Sequence, residues 1–250
     1  GDIFSAILSK TNIHVTVVKG YTLPKTVSEK SLVITTSISG NTIETLTALE
    51  DAVSKKCKII AFCSGGKMEE YCKKNKLEFR KFKKIHSPRA SFTVFLYGML
   101  NVLSPILPIS EIEIKESLEE LKNLSKNINS NAINNKNPAY QLANWINYTP
   151  IIYYPFGLQA AAIRFKNALQ ENAKTHALVE DVIESCHNGI VAWEKSKEFQ
   201  AILLQGENDY IKTKERWGIF KEFFNENNLD YWETHSIKGN ILSKIITLIY

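Results

Sequence analysis

Along the chain, short β-branched runs alternate with stretches whose apolar positions recur at helical spacing. The first pattern reads as strand and the second as amphipathic helix, and their alternation predicts βα units with parallel sheets. In the first half, strands are expected at His14–Lys19, Ser31–Ser37, Lys58–Cys63 and Leu77–Phe82. Helices are expected at Thr42–Lys55, Lys67–Lys74 and Arg89–Leu103. In the first of these, Ile43, Leu46, Leu49 and Val53 share a face, which gives the helix an apolar side to lay on a sheet.

Pro105 and Pro108 break the alternation. Ile109–Asn129 then predicts one exposed, charged helix, and the Asn-rich run 127–137 a polar surface connection. Alternation resumes with strands at Pro150–Tyr154, Phe199–Gln205 and Asp230–Ser236, and helices at Gly157–Leu169, Tyr210–Asn225 and from Gly239 onward. The expected fold is therefore α/β, with two lobes that are each a mainly parallel sheet flanked by helices. Residues 1–107 form the first lobe, 108–137 a helical connection and 138–250 the second lobe.

Composition narrows the function classes. With 44% hydrophobic and 23% charged residues, the chain is ordinary for a globular protein. No apolar run approaches the roughly 18 residues of a membrane span, and no secretory signal is visible, so a cytoplasmic protein without a membrane partner is expected. Cys57, Cys63, Cys72 and Cys186 form no CxxC pair and read as reduced thiols, so no metal site is expected. Lysines gather at residues 73–76 and 80–84, but without interleaved aromatics to stack on bases they read as solvated faces, and no nucleic-acid partner is expected. The formal charge of +5 also suits an anionic small molecule.

The strongest local signal is the run Thr35-Thr36-Ser37-Ile38-Ser39-Gly40-Asn41-Thr42-Ile43-Glu44-Thr45. A strand enters a turn of small hydroxyl residues that leads directly into a helix. Free N–H groups at a helix N-terminus favour an anion. Ser37, Ser39 and Thr42 add hydroxyls, and Gly40 permits close backbone approach. Ser39 or Asn41 could alternatively be a simple helix cap, but a cap needs only one such residue.

These residues resemble the phosphate-binding signature of sugar-isomerase (SIS) domains, Ser-x-Ser-Gly-Asn-Thr-x-Glu-Thr. The resemblance extends through Ser64-Gly65-Gly66-Lys67, Pro88-Arg89-Ala90-Ser91-Phe92, Gln170-Glu171-Asn172-Ala173-Lys174 and His187-Asn188-Gly189-Ile190-Val191-Ala192-Trp193-Glu194. With those stretches the chain is similar, over essentially its whole length, to the bifunctional phosphoglucose/phosphomannose isomerases found mainly in archaea. The resemblance implies interconversion of fructose 6-phosphate with glucose 6-phosphate and mannose 6-phosphate through a cis-enediol(ate), without cofactor. It also implies a homodimer in which His187 reaches across the interface.

The same resemblance makes Glu171 the proton shuttle between C1 and C2 and His187 the group that opens the sugar ring. Ser37, Ser39 and Thr42 would bind phosphate, with Gly40, Asn41 and Arg89 at the substrate. The chemistry agrees: a carboxylate can take a proton from one carbon and return it to the next, given partial burial to raise its pKa. Histidine titrates in the range ring opening needs. Arg89 is either a surface cation at a helix start or a fixed charge that stabilises the enediolate. His14, in a strand, and His86, in a basic loop, read as structural, while His176 and His235 stay open.

The chain departs from the family pattern at Gly189, where Glu is usual, and at Ala192, where Gly is usual. The family also carries a Gly-Gly-Ser turn before the point matching Gly1 and a lysine-bearing helix beyond the point matching Tyr250. The chain is thus expected to be truncated at both ends and to isomerise poorly alone. The competing reading is a non-catalytic SIS module that binds a sugar phosphate for regulation, which would need neither Glu171 nor His187.

Overall fold

The computed structural model describes residues 1–195 and 198–250. It divides into two compact units: Thr16–Pro108, and Gly1–Val15 together with Ile109–Tyr250. The opening helix α1 (Asp2–Leu8) therefore groups with the C-terminal unit, not with the lobe that follows it in sequence.

The Thr16–Pro108 unit runs β1 (Leu32–Ser37), α2 (Ile43–Ser54), β2 (Lys58–Cys63), α3 (Gly66–Lys74), β3 (Glu78–Lys81) and α4 (Phe92–Leu103). The three strands form a parallel sheet in the order β1-β2-β3, with Thr35 beside Ala61 and Ser37 beside Cys63. Side-chain alternation sorts β2 between two faces. Ala61 and Cys63 pack with Leu49 of α2 and with Met68 and Cys72 of α3. Phe62 instead stacks on Phe82, which meets Phe95 of α4 edge-on. Gly98 makes room for this contact, since a Cβ there would lie 2.7 Å from the Phe82 ring.

Two expectations need correction here. His14–Lys19 forms no strand. Its β-branched residues find no ladder partner, and β-propensity is expressed only where an edge is available to pair with. The last helix begins at Phe92 rather than Arg89. Ahead of it the chain makes a turn in which the Ser91 hydroxyl donates to Ser87 O at 2.8 Å and accepts from Ile85 N–H at 2.9 Å.

In the other unit, α5 (Glu111–Ile128) is the expected long polar helix, opened by a reciprocal cap between Ser110 and Glu113. Then follow α6 (Pro138–Trp145), β4 (Thr149–Tyr154), α7 (Gln159–Ala168) and a π-helical turn at Leu169–Ala173. Next come β5 (Leu178–Asp181), α8 (Val182–Ser185) and a 3-10 helix at Gly189–Glu194. The unit ends with β6 (Phe199–Gln205), α9 (Ile211–Glu226), β7 (Tyr231–His235) and α10 (Ile241–Ile249). The sheet is parallel in the order β5-β4-β6-β7.

Alternation again divides the core. Tyr153, Ala201 and Leu203 pack with Trp217, Phe220 and Phe224 of α9 and with Trp193 of the 3-10 helix. Ile152, Tyr154, Ile202 and Leu204 pack on the other face with Ala162 of α7. Outside that layer, α10 packs against α5, where Asn240 Nδ2 donates to Glu113 O at 3.2 Å and to Glu116 Oε2 at 3.1 Å.

Candidate functional site

The turn after β1 lies at the carboxyl edge of a parallel sheet, where α/β folds place their ligands. Its conformation is fixed internally. Ser37 Oγ and Thr42 Oγ1 share a hydrogen bond of 2.8 Å, Gly40 N–H donates to Ser37 Oγ at 3.0 Å, and Asn41 N–H donates to Ser39 Oγ at 3.2 Å. Gly40 holds φ +71°, a conformation that favours glycine. A Cβ on Gly40 would lie 1.7 Å from Gly65 O. That glycine is therefore required by a second backbone segment pressed against it.

The second segment is the turn between β2 and α3. Ser64 N–H donates to Ile38 O at 3.1 Å, Met68 N–H to Gly40 O at 2.9 Å, and Lys67 N–H to Asn41 Oδ1 at 3.1 Å. The Ser64 hydroxyl also donates to Ile38 O. Gly66, at φ +69°, has no room for a Cβ, which would stand 2.7 Å from both Asn41 Oδ1 and Ser39 O. The two turns thus form one knitted rim. Asn41 does not cap the helix it precedes, and α2 receives no side-chain cap from Thr42. No cap from Thr42 occupies its first N–H groups, as an anion site requires.

Behind this rim, Glu69 Oε1 meets Lys73 Nζ at 2.7 Å and Glu69 Oε2 meets Lys81 Nζ at 2.8 Å, tying α3 to β3. Hydrogen bonds from Lys73 and Lys81 hold the Glu69 carboxyl below its ordinary ionisation range. Cys63 and Cys72 are fully buried free thiols, and burial raises the pKa of both, that of Cys72 to about 11. They are packing residues rather than nucleophiles. Arg89 is exposed in the turn before α4.

The other sequence-derived candidates lie in the C-terminal unit. Glu171 sits in the π-helical turn that continues α7. Lys174 closes this turn in the left-handed conformation, φ 59°, and its ammonium donates to Glu171 O at 2.8 Å. Single π turns insert an extra residue into a helix and recur at functional sites. Glu171 is exposed, whereas partial burial was expected for it.

His187 is also exposed, on the turn between α8 and the 3-10 helix. Asp181 caps α8 by accepting from Ile183 N–H at 2.8 Å and Glu184 N–H at 3.2 Å. Downstream, the buried Trp193 indole donates to the Tyr153 hydroxyl at 2.8 Å. The histidine is thus an exposed group carried on a turn anchored at both ends. His14, His86, His176 and His235 are exposed too, and His235 Nε2 lies 3.5 Å from Glu233 Oε2.

Sequence reasoning missed Glu180, at the carboxyl end of β5. Its carboxylate lies over Gly189. Burial is the main reason the Tyr153 phenol is pushed far above its ordinary pKa, and the negative charge of Glu180 helps raise it. The four-residue strand that carries Glu180 is too short for periodicity to reveal, although Asp181 as a helix cap marks its end. Among the described residues, no three His, Cys, Asp or Glu side chains gather as a metal site. No helix among them is long and apolar enough to cross a membrane.

Two parallel α/β units, one with a hydroxyl-rich turn running into an uncapped helix, define a protein of the SIS class. A model of the bacterial phospho-glucose isomerase C-terminal SIS domain matches residues 135–250. The bifunctional phosphoglucose/phosphomannose isomerase of Caldicellulosiruptor bescii is 31% identical over 256 residues, covering 98% of this chain and 74% of that protein. Its counterpart from Aquifex aeolicus is also 31% identical, over 84% of this chain and 63% of that protein. Among solved structures, the C-terminal domain of glucosamine-fructose-6-phosphate aminotransferase from Francisella tularensis superposes with a TM-score of 0.61. That match has 16% identity and covers 100% of this chain and 79% of that one. The chain belongs to the bifunctional phosphoglucose/phosphomannose isomerase family.

Proposed function

We propose that the chain is an aldose–ketose isomerase that interconverts fructose 6-phosphate with glucose 6-phosphate and mannose 6-phosphate. The observation that carries this reading is the Ser37–Thr42 turn feeding an uncapped α2, in a chain of this family. The phosphate takes the α2 N–H groups and the hydroxyls of Ser37, Ser39 and Thr42, which places the sugar's reactive carbons beyond the rim.

The remaining roles follow from the reaction. His187 moves a proton from the anomeric hydroxyl to the ring oxygen, opening the ring. The Glu171 carboxylate takes the C2 proton of the aldose and returns it to C1, while the hydroxyl proton moves from O2 to O1. Removing and returning the proton on the two faces of C2 connects the glucose and mannose epimers through one enediolate. Arg89 stabilises the negative charge that develops on the oxygens. One carbon is reduced as its neighbour is oxidised, so the reaction requires no external redox partner. The active form is a homodimer, in which His187 serves the site of its partner.

The test is incubation of fructose 6-phosphate with the complete gene product in D2O, followed by NMR. Glucose 6-phosphate and mannose 6-phosphate carrying deuterium at C2 are expected, and Glu171→Gln should abolish this exchange. Exchange that survives Glu171→Gln removes Glu171 as the base. Tight binding of fructose 6-phosphate with no exchange in the unsubstituted gene product favours the regulatory binding module instead.

A further inference from the structure

The N-termini of α2 and α3 meet at the knitted rim and are finished differently. The α3 end is closed from another loop: Lys67 N–H donates to Asn41 Oδ1 at 3.1 Å and Met68 N–H to Gly40 O at 2.9 Å. The α2 end has no side-chain cap, because the Thr42 hydroxyl bonds Ser37 Oγ at 2.8 Å instead. A phosphate presents acceptor oxygens and can use only donors. The Asn41 carbonyl oxygen has nothing to offer it, and that oxygen is committed to α3. Gly66 packs so close beneath this oxygen that a Cβ would stand 2.7 Å away, so the amide has one seat.

We propose that Asn41 is a positioning residue: it caps α3 from the neighbouring loop and thereby fastens the phosphate turn in its binding shape. This rests on the reading of Ser37–Thr42 as the phosphate site. On this view α3's N-terminus is spent on holding the turn, and α2's is kept for the ligand. Asn41 then acts on affinity through Gly40 and the hydroxyls beside it.

Asn41→Ala and Asn41→Asp separate the two roles. Aspartate keeps an acceptor for Lys67 N–H and places a negative charge at a helix N-terminus, where it is favoured. For a cap, the ligand-free melting temperature of Asn41→Ala falls by about 2–4 °C while Asn41→Asp stays near the unsubstituted chain. Affinity for inorganic phosphate, read by calorimetry, falls about tenfold in Asn41→Ala, equivalent to roughly 1.4 kcal/mol, whereas Asn41→Asp is read by melting temperature alone because its charge would itself repel the anion. The opposite result overturns the proposal: an unchanged melting temperature in Asn41→Ala, with phosphate affinity still lost, marks Asn41 as a direct ligand contact. If the unsubstituted chain does not bind phosphate, the phosphate reading of the turn fails. The order of ligand-free melting temperatures then still decides whether Asn41 caps α3.

Discussion

The Glu180 carboxylate occupies the space that a side chain at Gly189 would fill: a Cβ there would stand 2.7 Å from Oε1 and 2.9 Å from Oε2. Gly189 does not need its glycine for backbone reasons, since its φ lies outside the left-handed region. Alanine at 189 therefore forces the Glu180 carboxylate out of its seat, and crowding of this kind costs about 1–3 kcal/mol. Alanine also restricts the unfolded chain, which offsets about 0.4–1 kcal/mol of that cost. Gly189→Ala should therefore destabilise by about 1–2 kcal/mol in urea unfolding. In a Glu180→Ala background the same substitution should become neutral or stabilising, because the obstructing group is gone. Equal effects in both backgrounds would show that Glu180 is not what excludes a side chain at 189.

Gly40 meets a harder obstacle. Glu180 is a flexible chain end that can move, whereas the atom facing Gly40 is the Gly65 carbonyl, backbone held by the rim's hydrogen bonds. Gly40 also holds φ +71°. Gly40→Ala should cost about 2–4 kcal/mol in denaturant unfolding and should abolish the thermal shift given by inorganic phosphate. A loss under about 0.5 kcal/mol would show that the two turns can separate without consequence.

How much of this was legible beforehand depends on the range over which each signal acts. Lys58–Cys63 and Phe199–Gln205 match their expected bounds because continuous apolar runs at the sheet centre admit one reading. The turn at Ser37–Thr42 was equally legible, since strand, hydroxyls and helix follow one another in sequence. Its partner function was not. That Asn41 serves α3 rather than α2 depends on a turn 26 residues away. His14–Lys19 has the alternation of a strand, but pairing is a tertiary event and none occurs there. The helix at Pro138–Trp145 did carry a local sign, Asn137 followed by Pro138, which the surrounding asparagines disguised as connection. Glu180 shows the remaining gap: its meaning lies in Tyr153, Trp193 and Gly189, on three other elements.

The ion pairs behind the rim predict a pH window for stability. Hydrogen bonds from Lys73 and Lys81 lower the Glu69 pKa from its ordinary 4.5, and Glu69 raises that of Lys81 above 10.5. A depressed carboxylate contributes stability above its unfolded value and loses it as pH falls through the lower folded value. A raised lysine contributes below its unfolded value and loses it as pH climbs through the higher folded one. The stability difference between the unsubstituted chain and Glu69→Gln should therefore be flat from about pH 6 to 9 and shrink at both ends. Urea unfolding across this range reads the difference directly. Both charges reach solvent, so about 1 M salt should flatten the window further. A difference that persists unchanged to about pH 2 would mean that the Glu69 contribution comes from packing under Gly65 rather than from its charge.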